Sequence, residues 1–308
     1  QCGFALRIAA LLTMALLTGC ISPAPDKTAV TAEPMTIVVS SDAPAFSLVA
    51  REIASRYPAR TEIWPIGDSD AARARTLKRL QASDVRLVVA IGLPAALAAR
   101  NLTGKRVIFC QVFHYEDNDL VTPWMKGVSA MPAPGEQFRA WKSLAPDLRR
   151  VAVLTGPGLQ GLMQESRAAA GAHRIDLVHV PVRSDKETLF AYKRIASQVQ
   201  GLWLVPDNRV LSSETIRELL AHSVKEGKQV AAPSQELLAF GALLSASSDY
   251  GDIAGRVLAR ARQSRGRNDV PGPALEPLQR AQINVSARML EQFNLRLPPA
   301  LQGGLYAP

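Results

Sequence analysis

Continuous apolar segments alternate with helix-like segments along most of the chain. The run MTIVVSS at 35–41 is rich in β-branched residues, and apolar residues recur at helical spacing in 43–57. The same couplet repeats at 60–82 and 85–100, and the run at 106–113 ends the series. Strands that are apolar throughout and alternate with amphipathic helices are typical of a parallel sheet covered on both faces. The pattern predicts an α/β fold.

A polar break near AMPAPGEQ separates this series from a second one. The second series has predicted helices over 159–171, 185–199 and 212–226, each after an apolar strand, and the strands KQVAAPS and ALLSASSD close it. An amphipathic helix over 250–263 follows, and a Gly/Pro-rich link leads to the run AQINV and a short helix over 286–293. These last pieces are too few for a third domain and should pack on the other two.

Two series of similar size predict two doubly wound parallel-sheet lobes. We expect one lobe to comprise 35–131 plus about 248–268, and the other to comprise 132–247 plus about 269–308. Because the chain returns from one lobe to the other more than once, a hinge of several strands should join them.

The amino-terminal segment indicates a signal peptide. The apolar run 8–21 has about 14 residues, fewer than the ~20 of a membrane-spanning helix, so a permanent anchor is the weaker interpretation. The motif LTGC that ends at Cys20 resembles the bacterial lipobox, in which the chain is cut before the cysteine and lipid is attached to its sulfur. The resemblance implies a signal peptide over 1–19, lipidation of Cys20, a tether over 20–34, and a lipoprotein in the periplasm or at the cell surface. Ordinary cleaved secretion is the alternative.

Composition narrows the function classes. The chain has 308 residues, 47% of them apolar, which is enough for a substantial core. Its net charge is +9, but the basic residues form no long block and do not interleave with aromatic residues, so we expect contact with anionic lipid or solvent and no nucleic acid partner. Removal of Cys2 and lipidation of Cys20 would leave Cys110 alone, which excludes a disulfide within the mature chain.

Catalytic and metal-binding signatures are missing from the sequence. There is no G-x-S-x-G, H-E-x-x-H, P-loop or C-x-x-C motif, and the four histidines have no metal-ligand spacing, so we expect no catalysis, cofactor or metal. The segment GPGLQG, from Gly156 to Gly161, does fit the dinucleotide fingerprint after a strand. Arg183 follows the next strand where an acidic residue is expected, so an NAD(P)-linked enzyme is only an alternative.

A binding site should lie where the parallel strands end. Ligands of open parallel sheets bind outside the carboxyl ends of the strands, and two facing sheets would line a cleft with those ends. The expected ends are 40–43, 92–94, 111–114, 155–159, 207–209, 233–235 and 246–249. Several coincide with helix amino termini, whose N–H groups suit a carboxylate.

Several motifs together resemble a known family. AIGLPAALAAR, GVSAMPAPGEQF, LAPDLRRVAVLTGPG, LVPDNRVLSS, GALLSASSDY and RLPPAL occur in the order and spacing of ABC-transporter substrate-binding proteins that bind aromatic amino acids such as tryptophan. The resemblance covers roughly 36–302. It implies a type I periplasmic-binding-protein fold that closes on a small ligand and delivers it to an ABC permease. A binding protein that reports its ligand to a membrane sensor kinase is the alternative within this fold.

The strand ends and the resemblance together give the ligand-binding candidates. They are Ser41, Asp42, Gly92, Leu93, Pro94, Gln111, Phe113, Asp207, Asn208, Ser234, Ser247 and Asp249. We expect Asn208 and the amides at positions 93 and 94 to provide polar contacts, although an Asx pair after a strand can equally cap a helix or make a turn.

The sequence departs from the family pattern at two of these candidates and at one neighbouring position. The family has a small hydroxyl residue in place of Leu93, an acid or histidine near Ala43, and an aspartate in place of Ser234. Because a carboxylate binds an amine more strongly than a neutral group does, these departures weaken the case for an amino-acid ligand. An aromatic wall is still available from Phe46, Phe113 or Trp124.

Overall fold

Two helix-covered β-sheets account for most of the described chain. The computed structural model describes residues 32–307. The predicted signal peptide, Cys20 and most of the tether lie outside the described residues. The strands are β1 (Met35–Val39), β2 (Thr61–Pro65), β3 (Leu87–Ile91), β4 (Arg106–Cys110), β5 (Met125–Pro132), β6 (Arg150–Thr155), β7 (Asp176–Pro181), β8 (Gly201–Trp203), β9 (Gln229–Ala232), β10 (Leu244–Ser248), β11 (Leu275–Leu278), β12 (Ala281–Ser286) and β13 (Leu305–Tyr306).

The helices follow the predicted alternation. They are α1 (Pro44–Arg56), α2 (Asp70–Ala82), α3 (Leu93–Ala99), α4 (Pro134–Leu144), α5 (Gln160–Ala172), α6 (Asp185–Ile195), α7 (Ser213–Lys225), α8 (Tyr250–Gln263) and α9 (Ala287–Gln292). Four of them begin after a serine whose side chain accepts the amide hydrogen bond of the third residue on: Ser69, Ser184, Ser212 and Ser286. These caps satisfy amides that have no partner within the helix, so they fix where each helix starts. None of the helices within 32–307 combines the length and the apolar composition needed to cross a bilayer.

The first sheet has the order β11-β5-β4-β3-β1-β2, and its neighbouring strands are parallel. β1, β3 and β4 are buried along their whole length. Apolar clusters pack against both faces of this sheet, one against α1 and α8 and the other around α3. Burial on both faces explains why these strands are apolar throughout and do not alternate.

The second sheet has the order β13-β12-β10-β9-β8-β6-β7. Its strands are parallel except where β12 pairs antiparallel with β10. One apolar cluster contains Phe138 and Trp141 of α4, and a cluster on the other side contains Tyr192 of α6. The α/β fold with two parallel-dominated sheets is therefore confirmed.

Three connections pass between the sheets within residues 32–307. They run from β5 to α4, from β10 to α8, and from β11 to β12. The hydroxyl of Ser248 donates to the carbonyl of Ala130 at 2.7 Å, which ties the second connection to the first. The carboxylate of Asp252 accepts the amides of Gln279 and Arg280 at 2.6 and 2.9 Å, which ties the third to the second. The three connections thus form one hydrogen-bonded hinge.

Four elements are not predicted by the sequence pattern: β5, α4, β11 and β13. Gly127 within β5 leaves room for the ring of Phe109, which a Cβ would approach to 2.2 Å, and this glycine hides the strand pattern. The short β11 contains a proline, and the sequence pattern predicts part of a link there. Because β11 pairs with β5, the segment 275–278 belongs to the first sheet, whereas the sequence pattern predicts 269–308 to be part of the second lobe.

Candidate functional site

The carboxyl ends of the two sheets bring several predicted residues to one cleft. In the first sheet the relevant loops follow β1, β3 and β4, and in the second they follow β6, β8, β9 and β10. Parallel strands end at a common edge, so these loops lie beside one another although they are far apart in sequence.

The end of β3 is held by a tight backbone turn. Gly92 has φ +86°, and a Cβ at this position would lie 2.6 Å from the hydroxyl oxygen of Ser40. That hydroxyl donates to the carbonyl of Ile91 at 2.8 Å and accepts the amide of Ala95 at 3.0 Å. The expected amide contact at position 94 is wrong, because a proline has no N–H. Of the first three residues of α3, Leu93 remains the one whose amide can face a ligand.

The loop after β4 contains two residues in the left-handed region. Gln111 has φ 55° and His114 has φ 56°, values that residues with a Cβ rarely adopt. The side-chain amide of Gln111 donates to the carbonyl of Ala45 at 3.3 Å. Strained backbone of this kind persists where the surroundings impose it, and it is frequent at functional sites. This loop is therefore a strong candidate for a functional segment.

Asp207 is an internal anchor of the second sheet, and its side chain is not exposed to the cleft. Its carboxylate is fully buried and accepts the amide of Gly156 at 2.8 Å. Arg209 donates to both of its oxygens, from Nε at 2.8 Å and from Nη2 at 3.0 Å. Burial alone would raise the pKa of Asp207, but the hydrogen bonds from Arg209 and Gly156 outweigh it and lower the pKa.

Arg209 also reaches the loop that follows β4. Its Nη1 lies 2.6 Å from Oδ2 of Asp117. The Nε2 of His114 lies 3.4 Å from Oδ1 of Asp207, and neither ring nitrogen has a hydrogen-bond partner among the described residues. Burial, with a smaller contribution from Arg209, lowers the pKa of His114, so its imidazole is neutral at pH 7.

A cavity of about 370 Å³ lies between loops of the two sheets. Its walls are mainly apolar, and among the described residues that line it there is no lysine or arginine. The lining includes Phe113, Tyr115, Met131, Leu159, Leu162 and Leu275. Glu116 and Glu165 supply its carboxylates; burial raises the pKa of Glu165. Burial and the neighbouring Glu116 raise the pKa of Tyr115 to about 12.

Phe113 is the predicted residue that the structure brings into this cavity. It also lines a smaller cavity of about 40 Å³ together with Pro233, Ala246 and Ser248. The residue is 37% exposed, which leaves its side chain free to contact a ligand. Phe46 instead packs against the core of the first sheet. Trp124 lies at the opposite end of β4, beside Lys105 and Arg106, so it cannot form a wall of the cleft.

The other predicted residues lie around the cleft and outside both cavities. Ser41, Asp42, Pro94 and Asn208 are exposed, whereas Gly92 is buried. Leu93, Gln111, Ser234 and Ser247 are partly buried. Asp249 caps α8 by accepting the amide of Asp252 at 2.9 Å, so at least one of its oxygens serves the helix. Ligand contact by these residues stays a prediction.

The glycines of GPGLQG accommodate side chains from the first sheet. Gly158 has φ +86°, and a Cβ there would lie 1.9 Å from Oδ1 of Asp117. A Cβ on Gly161 would lie 2.9 Å from Oε1 of Glu116. The motif therefore permits a close approach of protein side chains, in the place where a dinucleotide site would receive a pyrophosphate.

The pairing of Asp117 with Arg209 is not predicted by the sequence pattern. Both lie in loops that follow strands, but the sequence gives no signal that the loop after β4 meets the loop after β8. Within the described residues no group of histidine, cysteine, aspartate or glutamate side chains has the arrangement of a metal site.

A family model described as ABC transporter substrate binding protein matches residues 67–287. The chain belongs to this family. The resemblance inferred from the sequence motifs is thus confirmed. Substrate-binding proteins of this family bind solutes outside the cytoplasm and are not an enzyme class. No match was found among the curated proteins.

Solved structures of substrate-binding proteins are similar to this family member in fold. The ABC domain in complex with L-Trp from Streptococcus pneumonia is 16% identical, with a TM-score of 0.59, over 89% of this chain and 99% of that chain. The ligand-free, open structure of CD0873, a substrate-binding protein with adhesive properties from Clostridium difficile, is 15% identical, with a TM-score of 0.67, over 89% and 98%. A periplasmic ribose ABC transporter protein from Conexibacter woesei is 12% identical, with a TM-score of 0.54, over 85% and 93%.

Proposed function

We propose that this chain is a lipid-anchored extracytoplasmic binding protein that closes on a small solute between two lobes and delivers it to an ABC permease. The observation that carries the proposal is the cavity of about 370 Å³ whose walls come from both sheets, in a chain of the substrate-binding family. A pocket of this size, mostly apolar with a few polar groups, is typical of a site for a small molecule.

Closure follows from contacts to both walls. A solute held between Phe113 of the first sheet and Leu159 of the second would interact more strongly with the closed state than with the open one. Such differential affinity is what shifts a hinged protein toward closure. The hydrogen-bonded hinge at Ser248 and Asp252 would keep the connections aligned during this motion.

The cavity favours an aromatic or apolar solute that carries an amine. Phe113 and Tyr115 provide aromatic surface, and the carboxylates of Glu116 and Glu165 would attract a positive group. The similar structure with bound L-Trp supports an amino-acid-like ligand at the level of the fold. For this chain an aromatic amine or amino acid is therefore the first class to test.

A thermal-shift panel tests solute binding. The full-length chain is heated with aromatic amino acids, aromatic amines and, as a control from another ligand class, ribose. A solute at 100 times its dissociation constant adds about 2.7 kcal/mol to the free energy of unfolding. We expect a rise in melting temperature with an aromatic amine or amino acid and none with ribose. A rise with ribose alone would contradict the ligand class, and no rise with any solute would contradict binding.

The anchor is tested by changing the lipobox cysteine. Cys20→Ser should abolish lipid attachment, measured by labelling cells with radioactive palmitate, and leave the signal uncut, whereas the matched change Cys2→Ser should alter neither. A Cys20→Ser chain that still incorporates palmitate and is still cut would contradict the lipid anchor. Delivery to a permease predicts that cells without this chain lose high-affinity uptake of the solute it binds.

A further inference from the structure

We propose that Arg209 and Asp117 form a latch that joins the two walls of the cleft in the absence of solute and so sets how readily the protein closes. The inference rests on the two-lobed closure of the proposed function and adds a residue pair that positions the lobes. The latch is defined as Asp117 of the first sheet with Gly156, Gly158, Asp207 and Arg209 of the second.

The contacts of the latch form a continuous ring. The amide of Gly156 donates to Asp207, and Asp207 accepts two hydrogen bonds from Arg209. Arg209 extends its remaining nitrogen, Nη1, to Asp117 at 2.6 Å. Asp117 in turn lies against the Cα of Gly158, two residues after Gly156. The series of contacts therefore begins and ends at the turn after β6 in the second sheet. It includes one residue of the first sheet, Asp117.

Preorganisation makes this ion pair stronger than an ordinary surface pair. Arg209 and Asp117 are 31% and 34% exposed, and exposed pairs contribute little because ordering two long side chains opposes the attraction. Here the guanidinium is already fixed by two hydrogen bonds to the buried Asp207. The planar fork of an arginine can hold one carboxylate bidentately and present its other edge to a second, which a lysine cannot do. Most of the entropy cost of ordering the Arg209 side chain is therefore already offset by its hydrogen bonds to Asp207 in the second sheet.

Gly158 makes the close approach possible. Its positive φ of +86° and the 1.9 Å distance from a Cβ to Asp117 both require a glycine. The G-x-G part of GPGLQG is explained in this way: its first glycine supplies an amide to Asp207, and its second leaves room for Asp117. The motif that fits the dinucleotide fingerprint thus provides the turn against which the ion pair between the two walls packs.

The latch would act on solute affinity without touching the solute. A protein whose binding-competent state is only partly populated binds with an affinity reduced by that fraction. By raising the closed fraction before a solute arrives, the latch would tighten binding. Its loss should lower affinity while the lining of the cavity stays unchanged.

Hydrogen exchange of the full-length chain, measured by mass spectrometry without added solute, tests the latch. Asp117→Asn removes the charge but keeps the side-chain shape. We expect exchange to accelerate about fivefold to tenfold in peptides over 111–118 and 156–162, on both walls together, since hydrogen bonds to charged groups are the strong ones. Peptides over the buried strands 106–110 and 150–154 should keep their wild-type rates. Arg209→Lys should accelerate the same two segments, because it cannot bridge both carboxylates.

Asp119→Asn is the matched control. Asp119 carries the same charge two residues further on, is exposed, and has φ 47°, a conformation that asparagine tolerates. It should exchange at wild-type rates. The latch is overturned if Asp117→Asn leaves both segments unchanged, if Asp119→Asn accelerates them equally, or if the core strands accelerate as well. Since no solute is added, failure here leaves the thermal-shift result standing, and failure of the thermal-shift panel leaves the exchange result standing.

Discussion

The first sheet contributes two groups of strand-end loops to the cleft, and the two groups differ in their contacts with the second sheet. On the contact side, the loop after β4 meets the second sheet through Asp117 and His114. On the open side, Ser41, Asp42 and Pro94 follow β1 and β3, and they are exposed. Among the described residues these three make no hydrogen bond or ion pair to the second sheet. A position at a strand end thus gives the location of a residue, and its partner across the cleft decides its role.

A substitution in the hinge should give the largest loss of stability, because the hinge connects the whole first sheet, with its contact side and its open side, to the second sheet. Asp252→Ala removes the acceptor for the amides of Gln279 and Arg280 in a buried setting. Hydrogen bonds to a charged group contribute about 1.5–3 kcal/mol each, so we expect a loss of about 3 kcal/mol in the free energy of unfolding, measured by urea denaturation. Asp269→Ala, an exposed ion-paired aspartate outside the hinge, is the control. Equal losses of unfolding free energy in the two variants would contradict a stabilising role of the hinge hydrogen bonds.

Gly158→Ala tests the contact side specifically, because it changes the residue that Asp117 approaches. Its Cβ would overlap Asp117 and require an unfavourable φ, so we expect a loss of about 1–2 kcal/mol from the backbone alone. Gly171→Ala in the last turn of α5 meets no atom within 4 Å and should be neutral or stabilising. If Gly158→Ala were as stable as Gly171→Ala, the close approach of Asp117 would be contradicted.

The contact side should also respond to acid. Burial and Arg209 lower the pKa of His114 in the folded protein, so folding disfavours its protonation. Its contribution to stability is present above the unfolded pKa, ~6.5, and is lost as the pH falls below that value. Between pH 7 and pH 5 the melting temperature of the wild type should fall more than that of His114→Gln. His179, whose pKa burial also lowers, remains in both proteins and cancels in the comparison. Parallel pH profiles would contradict this role of His114.

Substitutions on the open side should have the smallest effect on stability. Ser41→Ala and Asp42→Asn change exposed residues, so the free energy of unfolding should stay within about 0.5 kcal/mol of the wild-type value. Their effect on solute affinity decides whether the predicted ligand contacts are real. A dissociation constant that neither variant changes would remove both residues from the candidate site, while a weaker constant would extend the site from the cavity to the open side.

The sequence predicted those parts of the fold that depend on local pattern. β1, β3 and β4 are apolar throughout because both faces are covered, and this signal is contained in each strand. The pattern does not reveal β5 and β11, because it is interrupted by Gly127, which leaves room for the ring of Phe109, and by Pro277, which lies at a register shift in the pairing of β11 with β5. Local periodicity carries no information about such contacts.

The candidate site was predictable in place but not in detail. The strand-end rule selected Phe113, which does line the cavity, and Asp207, which proved to be an internal anchor. Arg209 and Asp117 are separated by more than ninety residues, and their pairing depends on how the two sheets meet. The resemblance to the family supplied the fold and the general function, while the departures at Leu93 and Ser234 left the ligand to be argued from the cavity.

Native mass spectrometry of the full-length chain, purified from its own cells, tests the central claim most directly. We expect one small molecule per chain, carried through purification, and its loss in Phe113→Ala, because that ring lines both cavities between the sheets. The matched variant Phe190→Ala, which removes an exposed ring on α6 that lines neither cavity, should retain the molecule. A chain that carries no small molecule, and whose melting temperature no solute of the panel raises, would contradict solute binding between the two sheets.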